Sequence, residues 1–101
     1  MTYKIEISEN AKFAILDIFN FLAVVDKKAA IKHKIQIFES IYSLAQFPYR
    51  HEFFDRESQI FKFVIANGKY IIFYKILDDK IVYIYDVLDS RKDNKIVDDL
   101  K

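Results

Sequence analysis

The apolar residues of this chain change their spacing at its single proline, Pro48. Before Pro48 most of them recur every three to four residues, which is the spacing of one side of an α-helix. After it they alternate with polar residues, which is typical of half-buried β-strands. Helices and strands that are segregated in this way bury their apolar sides by packing helices on one face of an antiparallel sheet. The sequence therefore predicts an α+β fold.

A short strand and two helices are predicted before Pro48. Residues 2–7, TYKIEI, alternate apolar and polar side chains. Ser8 and Asp26 are residue types that cap helix N-termini, and each precedes a run with helical periodicity. The first run should end near residue 25 and the second near residue 46, because Pro48 disfavours helical geometry in the residue before it. The short connection predicts a helical hairpin.

Each predicted helix carries a broad apolar stripe, and we expect these stripes to be buried against the sheet. They consist of Phe13, Leu16, Ile18, Phe19, Phe21 and Leu22 in the first helix, and of Ile31, Ile35, Phe38, Ile41, Tyr42 and Ala45 in the second.

A meander of three to four antiparallel strands is predicted after Pro48. The pair Asn67-Gly68 is a strong signal for a two-residue hairpin turn. Such a turn aligns Lys62 with Phe73. Alternation along the strand places Lys62 on the face opposite Phe61 and Phe63. The predicted strands cover residues 59–66, 69–77 and 81–88, with a further short strand possible at 51–54.

Composition excludes several classes of site. The chain has no cysteine, which excludes disulfides and thiolate catalysis. Its two histidines, His33 and His51, lie far apart in sequence, whereas a helical pair of zinc ligands would be about four residues apart. The only glycine, Gly68, belongs to the hairpin and cannot form a phosphate-binding loop. We therefore expect no metal and no cofactor.

Charge and hydrophobicity favour a protein partner. The net charge is +1, and neither half of the chain forms a basic arm. Hydrophobic residues make up 52% of the sequence, so some apolar surface is expected outside the core, where it would mark a partner site. The alternating, charged N-terminus resembles neither a signal peptide nor a membrane span, and we expect a cytoplasmic protein.

Four phrases, ISENAK, LAQFP, FKFVIANGKYIIFYKI and IYDVLDSRKD, resemble in order and spacing the RelE/ParE superfamily of bacterial toxins. The resemblance covers about residues 2–94 and implies a single toxin domain over 1–101. It also implies a toxin of a type II toxin–antitoxin module, neutralised by a cognate antitoxin with which it would form a hetero-oligomer.

The resemblance leaves the target open. RelE-type members bind the ribosome and cut messenger RNA, whereas ParE-type members inhibit DNA gyrase. In many RelE-type members an arginine follows the hairpin tyrosine, but here Ile71 follows Tyr70. The ending VLDSRKD also resembles the ParE type more closely. A gyrase-binding toxin involved in plasmid stabilization and growth inhibition is therefore our first expectation. The alternatives are an endoribonuclease and an inactive relative that serves as an interaction module.

The candidate site residues are mostly cations and tyrosines near the hairpin and the last strand. For RNA cleavage, Arg91 and Lys62 would serve the phosphate. His51 and His33 are weaker candidates. The lysines of residues 27–34 are a solvated helix face or a patch that steers the protein towards nucleic acid or an acidic partner. The residues expected to bind the target or the antitoxin are Lys69, Tyr70, Tyr74, Arg91 and Lys92.

Overall fold

A computed structural model describes residues 2–91 as two helices and one five-stranded sheet. This order of a strand, a helical hairpin and a meander confirms the predicted α+β fold. The elements are β1 (Lys4–Ile7), α1 (Glu9–Ala23), α2 (Lys27–Ser43), β2 (Phe53–Asp55), β3 (Ile60–Ile65), β4 (Tyr70–Leu77) and β5 (Ile81–Asp89).

The sheet is mixed, with strand order β1-β5-β4-β3-β2. Strands β2 to β5 form the predicted antiparallel meander. Strand β1 lies at the edge and runs parallel to β5, with Lys4 opposite Ile81 and Ile7 opposite Ile84. The N-terminal strand is thereby hydrogen-bonded to β5.

Both predicted helix caps are confirmed. The Ser8 hydroxyl accepts a hydrogen bond from the Ala11 amide at 3.0 Å, and the Asp26 carboxylate accepts one from the Ala29 amide at 3.1 Å. Each satisfies one of the amide groups left free at a helix start.

Helix α2 ends at Ser43, before the predicted end near residue 46. The amides of residues 44–46 bond three residues back, which tightens the last turn. The Ala45 carbonyl accepts a hydrogen bond from the Tyr3 amide at 2.7 Å, so it is used by the chain start rather than by a continuing helix. Pro48 then begins a short 3-10 turn at Pro48–Arg50.

The core lies between the helical hairpin and one face of the sheet. Its members in the helices are Ala11, Ile15, Ile18, Ile37 and Ile41, with Leu44 directly after α2. Its strand members are Phe61, Ile65, Tyr70, Ile72, Tyr74, Val82, Ile84 and Val87.

The expectation that the apolar stripes of both helices would be buried was only partly right. Phe13, Leu16 and Phe21 of α1 are more than half exposed, and Ile31, Ile35 and Tyr42 of α2 are also exposed. The physical reason is that these helices have a sheet on one side only. The side turned away from the sheet has no second layer to cover it.

The Asn67-Gly68 turn and its predicted register are confirmed. Both residues have positive φ, and the Lys69 amide donates to the Ala66 carbonyl at 3.2 Å, as in a type I′ turn. Lys62 pairs with Phe73, as this turn requires.

A β-bulge at Tyr85 changes which side chains of β5 face the core. The register shifts because Tyr74 pairs with Ile84 whereas Phe73 pairs with Asp86, which leaves Tyr85 unpaired. Before the bulge, the even-numbered Ile84 faces the core. After the bulge, the odd-numbered Asp89 faces the core, whereas uninterrupted alternation would have pointed its side chain away from the core. The bulge therefore places a carboxylate inside the fold beside Arg91.

Candidate functional site

The predicted site residue Arg91 lies just beyond β5, above a buried carboxylate. Asp89 is only 4% exposed, and its Oδ1 accepts hydrogen bonds from the Arg91 backbone amide at 3.0 Å and from Arg91 Nε at 3.4 Å. The Arg91 side chain remains 49% exposed. The Nε edge of the guanidinium is thus hydrogen-bonded to Asp89, while about half of the side chain remains accessible to solvent.

Arg91 also covers the fully buried Tyr70 of β4. Its guanidinium carbon lies 5.7 Å from the Tyr70 ring centroid, and Nη2 donates to the Tyr70 hydroxyl at 3.4 Å. Cation–π contact and hydrogen bonding together restrict the orientation of the planar head. A cation held in this way loses less conformational entropy on binding an anion than a free surface arginine does.

His33 of α2 contributes to the same cluster. Its Nδ1 lies 2.7 Å from the Tyr70 hydroxyl oxygen, and the two rings meet edge-on with centroids 5.7 Å apart. Helix α2, the central strand of the sheet (β4) and the end of β5 therefore contribute to one group of side chains. We call this group, which consists of His33, Tyr70, Asp89 and Arg91, the Arg91 cluster.

Ser90 fixes the position of the cluster against the hairpin turn. Its amide donates to the Lys69 carbonyl at 2.9 Å, and its hydroxyl donates to the carbonyls of Gly68 and Lys69. The exposed Lys69 side chain is thereby held near the Arg91 cluster, close enough for its charge to act on His33.

The electrostatics of the cluster keep His33 neutral and Tyr70 protonated. Burial lowers the pKa of His33 below its ordinary value, and the positive charges of Lys69 and Arg91 lower it further. Burial raises the pKa of Tyr70, although Arg91 acts against this. At neutral pH the Tyr70 hydroxyl therefore keeps its proton and the His33 imidazole is uncharged.

These shifts predict an acid-sensitive fold. The pKa of His51 is also lowered, first by burial and then by Arg50. Because both histidines have lower pKa values folded than unfolded, the unfolded chain takes up protons first, and stability should fall as pH drops below about 6.5. Thermal unfolding measured across this range should show the loss, and it should be smaller in His33→Gln. A melting temperature that rises on acidification would contradict the lowered pKa values.

Lys62, predicted to act with Arg91 in RNA cleavage, lies elsewhere. It alternates with the buried Phe61 and therefore faces away from the helices, whereas Arg91 lies over Tyr70 on the helix side. Ile65 pairs with Tyr70, so Lys62 is also about 10 Å further along the strands. The two predicted phosphate-binding residues do not converge.

Lys62 instead lines a shallow cleft of about 350 Å³ at the β3 edge, together with Arg50, His51 and Glu52. The His51 ring stacks on Phe63 with centroids 4.0 Å apart. This cleft combines two cations with a carboxylate and shares no residue with the Arg91 cluster.

The remaining predicted contact residues differ in accessibility. Tyr74 is fully buried, and its hydroxyl donates to the Pro48 carbonyl at 2.6 Å, so it supports the core in this conformation. Tyr70 is buried beneath Arg91 and would act on a partner only through that residue. Lys69 is exposed. Lys92 lies outside the described residues. The binding roles of these residues stay predictions.

A second candidate surface lies between the outer sides of the two helices. It is an open groove of about 600 Å³ lined mainly by apolar side chains, and Lys34 Nζ lies 5.2 Å from the Phe19 ring centroid within it. We call it the helical groove, and its lining residues are Phe19, Ile31, Lys34, Ile35, Phe38, Glu39 and Tyr42.

Sequence reasoning missed the helical groove and the contact between His33 and Tyr70. The groove was included in the predicted core, because periodicity shows that a helix side is apolar but not what covers it. The available signal was the high hydrophobic content, which indicated exposed apolar surface without locating it. For His33 no local signal exists, since its contact with Tyr70 joins residues 37 positions apart.

Two findings limit the kinds of site available. Within residues 2–91, neither helix is long and apolar enough to cross a membrane. The same part of the chain holds no group of three or more histidine, cysteine, aspartate or glutamate side chains placed to bind a metal ion.

Solved toxin structures share this fold. The chromosomal ParDE toxin–antitoxin system from P. aeruginosa has a TM-score of 0.75 at 12% identity, covering 85% of this chain and 94% of that one. The RelBE2 toxin–antitoxin complex from Mycobacterium tuberculosis has a TM-score of 0.64 at 19% identity, covering 86% and 96%. A double arginine-to-alanine mutant of the E. coli toxin RelE in the free state has a TM-score of 0.63 at 15% identity, covering 96% and 93%.

These likenesses define the class as the RelE/ParE fold of small toxins. A family model described as the ParE toxin of the type II toxin–antitoxin system parDE matches residues 5–94. The chain therefore belongs to the ParE toxin family, and the resemblance seen in the sequence is confirmed. A sequence comparison with the curated proteins finds no match.

Proposed function

We propose that this toxin inhibits growth by binding DNA gyrase, without itself being a catalyst. The observation that carries the proposal is the separation of Arg91 from Lys62 on opposite faces of the sheet. RNA cleavage needs groups that stabilise the phosphate and move protons at one point. Here the convergent groups are a held guanidinium, a neutral imidazole and a buried tyrosine, which suit recognition of an anionic group.

We further propose that the helical groove receives the cognate antitoxin in a toxin–antitoxin hetero-oligomer. An exposed apolar groove on so small a protein is typical of a partner site. Lys34 lines the groove, and Lys27, Lys28 and Lys32 lie on the same helix. An antitoxin segment with an apolar side flanked by acidic residues would match both features.

The target is tested by expressing the toxin in bacteria without its antitoxin and following two readouts in parallel. The gyrase proposal predicts growth arrest with DNA breaks or lost supercoiling while messenger RNA stays intact. Cleaved messenger RNA with unchanged supercoiling would support the endoribonuclease alternative instead. Unimpaired growth of cells that contain folded toxin would contradict both and indicate an inactive relative.

A further inference from the structure

The burial of Tyr70 favours one set of hydrogen-bonding roles within the Arg91 cluster. A guanidinium only donates, so the Tyr70 hydroxyl oxygen accepts from Arg91 Nη2. Because Tyr70 is fully buried, its hydroxyl proton needs an acceptor within the protein, and we assign that role to His33 Nδ1 at 2.7 Å, in the tautomer that carries its proton on Nε2. In this arrangement His33 accepts at Nδ1 and is neutral.

Protonation of His33 would reverse its role in the cluster. A protonated imidazole donates from both nitrogens, so the Tyr70 hydroxyl would face two donors, His33 and Arg91, and would need another acceptor for its own proton. The charges facing His33 also oppose protonation. Lys32 on its own helix, Lys69 at the hairpin and Arg91 beyond β5 are cationic, and only the Asp89 carboxylate favours the charged imidazole.

An anion bound to Arg91 would remove both obstacles. Its negative charge would offset the cations around His33, and it would draw the Arg91 Nη groups away from the Tyr70 hydroxyl. That hydroxyl could then accept from a protonated His33 and donate its own proton to the bound anion, which supplies the missing acceptor. Binding of the anion and protonation of His33 should therefore favour each other, and the coupling is reciprocal.

The structure favours an acidic protein side chain as the anion over a nucleic-acid backbone. Nucleic-acid surfaces neutralise several phosphates with a track of cations. Arg91 instead forms an ion pair with the buried Asp89, and the chain as a whole carries a net charge of only +1. One partly neutralised guanidinium with a second cation, Lys69, nearby suits a single carboxylate.

We propose that Arg91 and His33 form a proton-coupled binding site for an acidic side chain of a protein partner, with the Tyr70 hydroxyl linking them. The choice of a protein partner rests on the proposed function, whereas the coupling itself is a property of the isolated chain. An experiment can therefore contradict the choice of a protein partner without contradicting the coupling between Arg91 and His33, and the reverse.

NMR titration of the two imidazoles in the full chain tests the coupling. Sodium sulfate, compared with sodium chloride at equal ionic strength, should raise the pKa of His33 and leave that of His51 unchanged. Arg91→Gln should abolish the difference. The coupling is overturned if the pKa of His33 is the same in both salts, or if the pKa of His51 changes by as much as that of His33. Either result holds whatever the toxin's target is.

Two further probes test the partner class and the role of His33. A glutamate-rich peptide should bind roughly fivefold more tightly at about pH 5 than at about pH 8. His33→Gln, whose amide oxygen can still accept from Tyr70, should bind the peptide with no such pH dependence. The role of His33 is overturned if His33→Gln keeps the dependence. The assignment to a protein side chain is overturned if a single-stranded oligonucleotide, and not the peptide, shifts His33.

Discussion

Arg91→Ala is expected to abolish growth arrest, because it should weaken target binding by about 100-fold, the scale of losing a central arginine from an interface. The guanidinium is half exposed yet oriented by Asp89 and by the Tyr70 ring. An arginine held in this way can present two parallel N–H groups to one carboxylate or phosphate. Alanine removes both the charge and that geometry.

Arg91→Lys separates these two contributions. Lysine keeps the positive charge but lacks the planar fork, and it cannot both satisfy Asp89 and present a bidentate edge to a partner. We expect Arg91→Lys to have intermediate toxicity, so that it arrests growth only at a higher expression level than the unmodified chain. If Arg91→Lys is as toxic as the unmodified chain, Arg91 acts through its charge alone.

The matched control for Arg91→Ala is Arg56→Ala. Arg56 also lies over an aromatic ring, with its guanidinium carbon 5.4 Å from the Phe53 centroid, but it belongs to the β2–β3 connection. Growth after induction and thermal unfolding should be measured on both variants, because Arg91 also covers Tyr70. If Arg91→Ala is still toxic, Arg91 has no essential role in target binding. If Arg91→Ala is harmless but unfolded while Arg56→Ala is folded, the loss of toxicity reflects the loss of the fold and gives no support for a binding role of Arg91.

Local features of the fold could be predicted because local chemistry determines them. Ser8 and Asp26 cap the helices through bonds to residues three positions away. Asn67-Gly68 determines the hairpin register because few other residues adopt positive φ at both positions of a type I′ turn. The alternation in β3 then determined that Lys62 faces away from the helices.

Features that depend on distant residues could not be predicted. The parallel pairing of β1 with β5 joins strands that lie far apart in sequence, with Lys4 opposite Ile81. The bulge at Tyr85 has no marker such as glycine, yet it turns Asp89 into the fold beneath Arg91. Each helix is apolar over more than one side, so periodicity alone could not determine which side meets the sheet. That ambiguity is why the helical groove was mistaken for core.

Ile35→Glu is expected to give the opposite phenotype to Arg91→Ala, namely a toxin that still arrests growth but is no longer neutralised. Ile35 lines the helical groove and is half exposed, so the substitution leaves no cavity in the core and should change stability by less than about 0.5 kcal/mol. In the complex, the glutamate would be buried in a mainly apolar contact and would repel an acidic antitoxin segment. We expect antitoxin affinity to fall by at least about 100-fold.

Val25→Glu is the matched control, because Val25 is 88% exposed at the connection between the helices and does not line the groove. Both variants should be co-expressed with the cognate antitoxin, and the affinity of each purified toxin for it should be measured by calorimetry. Rescue of growth for Val25→Glu but not for Ile35→Glu would locate the antitoxin on the helical groove. If the antitoxin neutralises both variants equally, the groove serves another partner and the antitoxin binds a different surface of the toxin.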